Sequence, residues 1–118
     1  MKILITGFEP FGSNDENSSW VVANKVATQN TFGIDIALEL MPVSFRSVAK
    51  TLRTAVTRHN PDLLIMLGQA GSSDKVRLER IAINMMDARN ADNDGFIPDE
   101  EPINTETPVA LFTNTDIK

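Results

Sequence analysis

An α/β fold with three layers, helix on sheet on helix, is predicted by two features of this sequence. Short β-rich apolar segments alternate with one-sided helical segments along residues 2–67. The third strand-like segment is apolar almost throughout, which is typical of a parallel strand covered on both faces. The chain has 118 residues, 42% of them hydrophobic, so it is long enough for one core and too short for two. We therefore predict a single α/β domain over residues 1–118, with a parallel or mixed sheet.

The first strand is predicted over residues 2–6, where an apolar run too short for a helix stops at Gly7. The loop that follows, residues 7–14, combines glycine and proline with two phenylalanines, Phe8 and Phe11. Loops are normally polar, so these rings need a reason. Either the loop folds back on the core or the rings bind a ligand.

The first helix and the second strand come next. The helix begins at Ser18 or Ser19 as its N-cap, presents apolar residues on one side and ends near Asn30. Residues 34–41 then alternate between the two sides of a strand, which predicts a half-covered strand that Pro42 ends.

A second helix and a third strand complete the regular pattern. The helix is capped by Ser44, carries its apolar residues on one face and closes at residues 59–61. Residues 62–67 form the nearly all-apolar strand, and the flexible turn 68–71 follows it. Ligands of such sheets bind beyond the carboxyl ends of the strands, so we expect the loops 7–14 and 68–71 to share one cleft.

Beyond residue 71 the pattern is less regular. A further strand is predicted from four alternating apolar residues, which are Val76, Leu78, Ile81 and Ile83. Residues 87–108 carry seven acids, three prolines and one glycine, so we expect a functional loop or a loosely ordered segment there.

Composition restricts the function classes. A formal charge of -5 without a Lys/Arg cluster argues against nucleic acid as a partner. No apolar run approaches the roughly 20 residues of a membrane span, and no apolar leader opens the sequence, so we expect a cytoplasmic protein without membrane contact. Zero cysteines and one histidine leave no thiolate zinc site or disulfide and make a serine triad hard to assemble. We expect neither a metal nor a cofactor.

Four short motifs stand in a fixed order along the chain. They are Gly-Phe-Glu-Pro-Phe-Gly at 7–12, Gly-Gln-Ala-Gly at 68–71, Glu-Arg-Ile-Ala-Ile-Asn at 79–84, and Asp-Ala-Arg at 87–89 with Asp-Asn-Asp-Gly at 92–95. Together they resemble the motifs of pyrrolidone carboxyl peptidases, cysteine peptidases that remove an N-terminal pyroglutamyl residue from peptides. The resemblance extends weakly to Lys118 and so covers nearly the whole chain.

The resemblance implies catalytic roles for two charged residues. Glu79 matches the glutamate of the family's Cys-His-Glu triad, a carboxylate that holds a histidine in the right tautomer. Without the motif, Glu79 would be a surface partner of Arg80, Arg77 or Lys75. Arg89 resembles an arginine near the family's catalytic centre, where it could orient Glu79 or polarise the scissile carbonyl. A structural salt bridge from Arg89 to Asp87 or Asp92 is the equal alternative.

The resemblance also implies a substrate pocket. Phe8 and Phe11 match residues whose rings cover the flat, neutral lactam ring of pyroglutamate. Gln69 lies in the loop whose main-chain amide and carbonyl would meet the lactam oxygen and nitrogen, with no role assigned to its side chain. Val43 and Asn90 stand at pocket positions where the family more often has small hydroxyl and aliphatic residues.

Two departures from the family pattern follow. Arg77 stands two residues before Glu79, where the family usually has Ser or Thr. The family's cysteine and histidine lie in a C-terminal portion that this chain lacks, so we expect an N-terminal part with an incomplete sheet, inactive by itself. His59 is expected at a helix end, away from the loops, and is no substitute.

Three functions remain open from the sequence. The first is pyroglutamyl peptidase activity in the complete form, on peptides with N-terminal pyroglutamate, in a homo-oligomer such as the family's tetramer. The second is a non-catalytic module that binds pyroglutamyl peptides or associates with itself. The third, a nucleotide-binding domain, is weak because the 68–71 loop lacks a phosphate-loop spacing.

Overall fold

A computed structural model describes residues 1–114 of the chain. Its elements in chain order are β1 (Lys2–Phe8), α1 (Ser18–Thr28), β2 (Asp35–Met41), α2 (Val48–His59), β3 (Leu63–Met66), β4 (Ile81–Ile83) and β5 (Ala110–Phe112). They fall into two compact units, one of Met1–Ala70 with Asp92–Phe96 and the other of Gly71–Ala91 with residues 97–114. The α/β class is confirmed. The single domain over residues 1–118 stays a prediction, and its last residues, 115–118, lie outside the described range.

The first unit is built on a parallel sheet with the order β2-β1-β3. β1 lies in the centre, where Ile3 is level with Ile36 of β2 and with Leu63 of β3. Because all three strands run the same way, their carboxyl ends meet at one edge of the sheet. The loops that follow β1 and β3 therefore leave from that edge.

Successive residues of β1 pack on opposite faces of the sheet. Ile3 and Ile5 are buried on the face covered by α1, against Ala23 of that helix. Leu4 is fully buried on the face covered by α2, together with Ala55. This alternation gives the predicted three layers, since a strand turns every second side chain to the same face.

The prediction that the third strand is buried on both faces is wrong for its second half. Leu63 and Leu64 are half-buried, but Ile65 is exposed and Met66 is 63% exposed. Among residues 1–114, β3 pairs only with β1 and so forms an edge of the sheet. The two helices pack mainly on β1, so the second half of β3 is left uncovered.

Both helices begin close to the predicted positions, with different capping residues. The N-cap of α1 is Asn17, one residue before Ser18, and its side chain accepts a hydrogen bond from the Ser19 N–H. The N-cap of α2 is Ser47 rather than the predicted Ser44, and the helix begins at Val48. Phe45 therefore lies in the turn before α2. No helix within the described residues is long and apolar enough to cross a membrane.

The second unit contains a small antiparallel sheet of β4 and β5, in which Ile81 is level with Phe112. All the residues of these strands are exposed. The predicted strand from Val76 to Ile83 is wrong at its start: Val76 is 94% exposed, and only Ile81–Ile83 has a partner strand. An alternating pattern forms a strand only where another strand offers hydrogen bonds, and residues 76–78 have no such partner in the described structure.

Gly7 is the point of closest approach between β1 and α1. A Cβ atom at Gly7 would lie 2.8 Å from the main-chain N and Cα of Trp20, a distance that real Cβ atoms essentially never show. Backbone atoms cannot rotate away as a flexible side chain can. Only glycine fits at this position without moving the helix.

We expect Gly7→Ala to lower the free energy of unfolding by about 1–3 kcal/mol, because the added methyl group must displace α1 from the sheet. Gly68→Ala is the matched control, since a Cβ there meets nothing within 4 Å. It should change stability by less than about 0.5 kcal/mol. Urea denaturation of both variants measures the difference, and equal losses would contradict the close-packing argument.

Candidate functional site

Two buried polar residues form the turn that begins α1. Asn17 is 3% exposed and Ser19 is 4% exposed. The Asn17 Oδ1 atom accepts hydrogen bonds from the Ser19 N–H, at 3.1 Å, and from the Ser19 hydroxyl, at 2.7 Å. Buried polar groups destabilise a fold unless they are bonded, so this pair is stable here only with its partners in place.

The loop after β1 is fixed to this turn by two hydrogen bonds. The Phe8 N–H donates to the Ser19 hydroxyl oxygen at 2.9 Å, and Asn17 Nδ2 donates to the Glu9 carbonyl at 3.0 Å. The main chain on both sides of the predicted pocket residue Phe8 is therefore held by α1. Gly7 makes this possible, because it lets the strand reach the helix.

The loop after β3 reaches the same turn through the side chain of Gln69. Its Oε1 atom accepts a hydrogen bond from the Ser18 N–H at 2.8 Å. The sequence assigned no role to this side chain, but it satisfies one of the free N–H groups of the first helical turn. The two loops thus meet at residues 17–19. A shallow concavity of about 310 Å³ lies here, lined by Glu16, Ser18, Val21, Val22 and Gln69.

The two phenylalanines of the first loop have different surroundings. Phe8 is half-buried and packs against the buried cluster of Leu4, Met41 and Ala55 on the α2 face. Phe11 is 37% exposed. Packing on the core, which was the alternative to ligand binding, therefore explains the burial of part of the Phe8 ring. Phe11 leaves more of its surface free for a ligand.

Val43 lies beside the same loop, through contacts that the sequence did not indicate. Its N–H donates to Glu9 Oε1 at 3.0 Å, and its carbonyl accepts from the Asn93 N–H at 3.0 Å. The Asn93 side chain in turn donates to Glu9 Oε1 at 3.0 Å and to the Pro10 carbonyl at 2.9 Å. The only sequence signal for a role of Glu9 and Asn93 was their place in two of the four motifs, at 7–12 and 92–95.

Within the first unit, the segment Asp92–Phe96 packs near the start of α2. The Asp92 carboxylate accepts three main-chain hydrogen bonds, each 2.9 Å long, from Asp94, Phe96 and Phe45. The ring of Phe96 meets that of Phe45 edge to face, and the guanidinium of Arg46 lies 4.4 Å from the Phe96 ring centre.

These bonds affect the titration of Asp92. Desolvation of the carboxylate acts to raise its pKa, but the three N–H donors and the nearby Arg46 charge outweigh it. The pKa of Asp92 therefore lies below its usual value of 3.8. The ionised form is the one that holds the segment in place.

The other three predicted site residues belong to the second unit. Glu79 lies in the extended segment before β4, is exposed, and has no hydrogen bond or ion pair with any residue from 1 to 114. Arg89 and Asn90 are likewise exposed and without such partners in that range. None of the ion pairs offered as alternatives for Glu79 or Arg89 forms within the described chain. The catalytic and pocket roles of these residues stay predictions.

His59 lies at the end of α2, as expected, and its side chain has no described contact with the loops 7–14 and 68–71. Its Nε2 atom is 2.6 Å from Glu39 Oε1, which also contacts Arg58. The chain then enters β3 beside the start of β1, where the Asp62 N–H donates to the Lys2 carbonyl. This edge is opposite to the one from which the loops leave.

The fold and the loop geometry define a class: an α/β protein of three layers whose predicted binding loops leave the carboxyl edge of a parallel sheet. That edge is where proteins of this class bind small molecules. All of residues 1–118 match the family model described as pyroglutamyl peptidase. The chain belongs to the pyroglutamyl peptidase family.

Individual relatives agree. The chain is 41% identical over 118 residues to the pyrrolidone-carboxylate peptidase of Thermococcus onnurineus, and 42% identical over 117 residues to that of Bacillus subtilis. These matches span 100% and 99% of this chain, but only 58% and 54% of the two relatives. The crystal structure of Bacillus amyloliquefaciens pyroglutamyl peptidase I matches with a TM-score of 0.88 at 38% identity, over 95% of this chain and 54% of that one. The chain thus spans little more than half the length of these relatives.

We expect the stabilising contribution of Asp92 to be lost in acid. Because its folded pKa is lowered, the contribution is complete above the usual pKa of 3.8 and disappears as the pH falls through the folded value. Carboxyl-detected NMR titration should place the Asp92 midpoint below 3.8. Asp92→Asn should remove this part of the acid dependence of unfolding, and a midpoint at or above 3.8 would refute the assignment.

Proposed function

We propose that the protein carrying this chain is a cysteine-type peptidase that hydrolyses the bond after an N-terminal pyroglutamyl residue of peptides. The observation that carries the proposal is the meeting of two predicted substrate loops at one turn of α1, through Phe8 to Ser19 and through Gln69 to Ser18. Family membership over all 118 residues supports the same substrate class.

The pocket chemistry fits a flat, neutral lactam. Such a ring offers no charge for an ion pair, so aromatic surface and main-chain hydrogen bonds must recognise it. Phe11 offers exposed ring surface. The bond from Ser18 to the Gln69 side chain fixes the loop, which leaves the main-chain N–H and carbonyl of Gln69 in a defined position for the lactam oxygen and nitrogen.

The proposed reaction consists of two acyl transfers, first from the peptide nitrogen to a cysteine sulfur and then from that sulfur to water. A cysteine thiolate attacks the pyroglutamyl carbonyl, the carbon–nitrogen bond breaks, and a histidine gives its proton to the leaving amine. Water then hydrolyses the thioester and returns the thiolate. Glu79 orients the histidine, and Arg89 polarises the carbonyl or orients Glu79. Neither side chain has a partner within residues 1–114 that would compete for it.

The second candidate is a non-catalytic module that binds pyroglutamyl peptides or associates with itself. One observation favours it: the strands of the second unit are exposed. A Cys- and His-bearing segment in the gene product would decide for the peptidase. A cytoplasmic location and a homotetramer are parts of the first proposal.

We expect purified residues 1–118 to release no amine from a pyroglutamyl arylamide between about pH 5 and 9, because they offer no thiol. The gene product that carries these residues, at the length its gene encodes, should release the amine. Turnover by residues 1–118 alone that survives further purification and thiol-blocking reagents would overturn the mechanism.

In the active gene product, Glu79→Gln should lower kcat by at least about a hundredfold, because the amide cannot stabilise an imidazolium. Glu106→Gln is the matched control, since Glu106 is also exposed and its side chain has no described partner. It should leave kcat unchanged. A Glu79→Gln enzyme with normal kcat would remove Glu79 from the triad.

A further inference from the structure

Glu9 has four hydrogen bonds, and they connect the loop after β1 to three other parts of the first unit. Its N–H donates to the Met41 carbonyl at 3.0 Å, and its carbonyl accepts from Asn17 Nδ2 at 3.0 Å. Its side-chain Oε1 atom accepts from the Val43 N–H and from Asn93 Nδ2, both at 3.0 Å. The sequence assigned no role to Glu9.

We propose that Glu9 is a positioning residue of the substrate pocket: its side chain holds the loop that carries Phe8 and Phe11 beside Val43. This inference rests on the proposed function and adds to it a residue that contacts no substrate. The contacts are those of one oxygen atom with the end of β2 and with Asn93.

The role of Glu9 is to accept hydrogen bonds rather than to pair a charge. Within the described part of the chain, no Lys, Arg or His lies within ion-pair distance of its carboxylate. Both donors to Oε1 are neutral amides, and no described donor reaches Oε2. A glutamine oxygen could accept the same two bonds, with its NH₂ group in place of Oε2.

Without the side chain of Glu9, the loop keeps its main-chain bonds to Met41 and Asn17 but loses the bonds that Oε1 accepts from Val43 and Asn93. Between the end of β1 at Phe8 and the start of α1 at Ser18 there is no regular secondary structure. Asn93 also donates to the Pro10 carbonyl, directly before Phe11. Loss of the Glu9 acceptor leaves the Val43 N–H without its described acceptor, while the Asn93 side chain keeps only its bond to the Pro10 carbonyl. A pocket that must order its aromatic rings at each binding event binds more weakly.

The test compares three variants of the gene product that carries residues 1–118. Glu9→Ala should raise KM for a pyroglutamyl arylamide about tenfold to a hundredfold, with kcat changed less than about threefold, because the rings contact the lactam and not the reacting atoms. Glu9→Gln should restore KM to within about threefold. Asp15→Ala removes the same charge from the same loop, where Asp15 is exposed and has no described partner, and should leave KM unchanged.

A second measurement keeps the inference separate from the proposed function. Hydrogen exchange at the Val43 amide should accelerate in Glu9→Ala and stay slow in Glu9→Gln. If the unmodified protein has no pyroglutamyl peptidase activity, the proposed function fails, and this exchange still decides whether Glu9 positions the loop. Unchanged exchange in Glu9→Ala, an unchanged KM in that variant, or a Glu9→Gln enzyme as defective as Glu9→Ala would overturn the inference. A merely structural role would lower the melting temperature and leave the KM of the folded enzyme unaltered.

Discussion

The close contact of β1 with the first turn of α1 at Gly7 is the constraint on which the rest of the first unit depends. Because no side chain separates the two backbones, the main chain of Phe8 and Glu9 lies within hydrogen-bond distance of the buried Ser19 and Asn17 side chains. A larger residue would move the helix and, with it, every hydrogen bond made by that turn. The candidate site is therefore coupled to the core through main-chain packing.

The site depends on hydrogen bonds between side chains and main chain more than on apolar packing. Asn17, Ser19, Gln69 and Glu9 each bond a main-chain group of another segment. Within residues 1–114, no buried side-chain nitrogen or oxygen lacks a partner. Directional bonds suit irregular loops, because these loops lack the repeated side-chain contacts that position helices and strands.

The second unit has a different basis for its structure. Its strands β4 and β5 are short and exposed, and hydrogen bonds supply much of its order. Asn84 donates to the Asn104 carbonyl, and Met86 exchanges two main-chain bonds with Glu101. Among the described residues of this unit, only Pro98 is buried. The residues predicted to perform catalysis lie in this unit, and those predicted to bind the substrate lie mostly in the first.

The sequence alone determined the α/β class, the two helices, the first three strands and the family, because periodicity of two or 3.6 residues and short motifs are local properties. Only the strand pairing of the structure shows that β1, β2 and β3 are parallel, since the sequence left a parallel or a mixed sheet open. It could not determine that residues 76–78 lack a partner strand, that β5 exists, or that β3 is an edge, since each depends on what lies beside the segment in space. The same holds for the site. The bond between Glu9 and Asn93 joins residues 84 positions apart, and the bond between Ser18 and Gln69 joins residues 51 apart. Only the tertiary structure brings these residues together, because a hydrogen bond between distant segments leaves no periodic trace in the sequence.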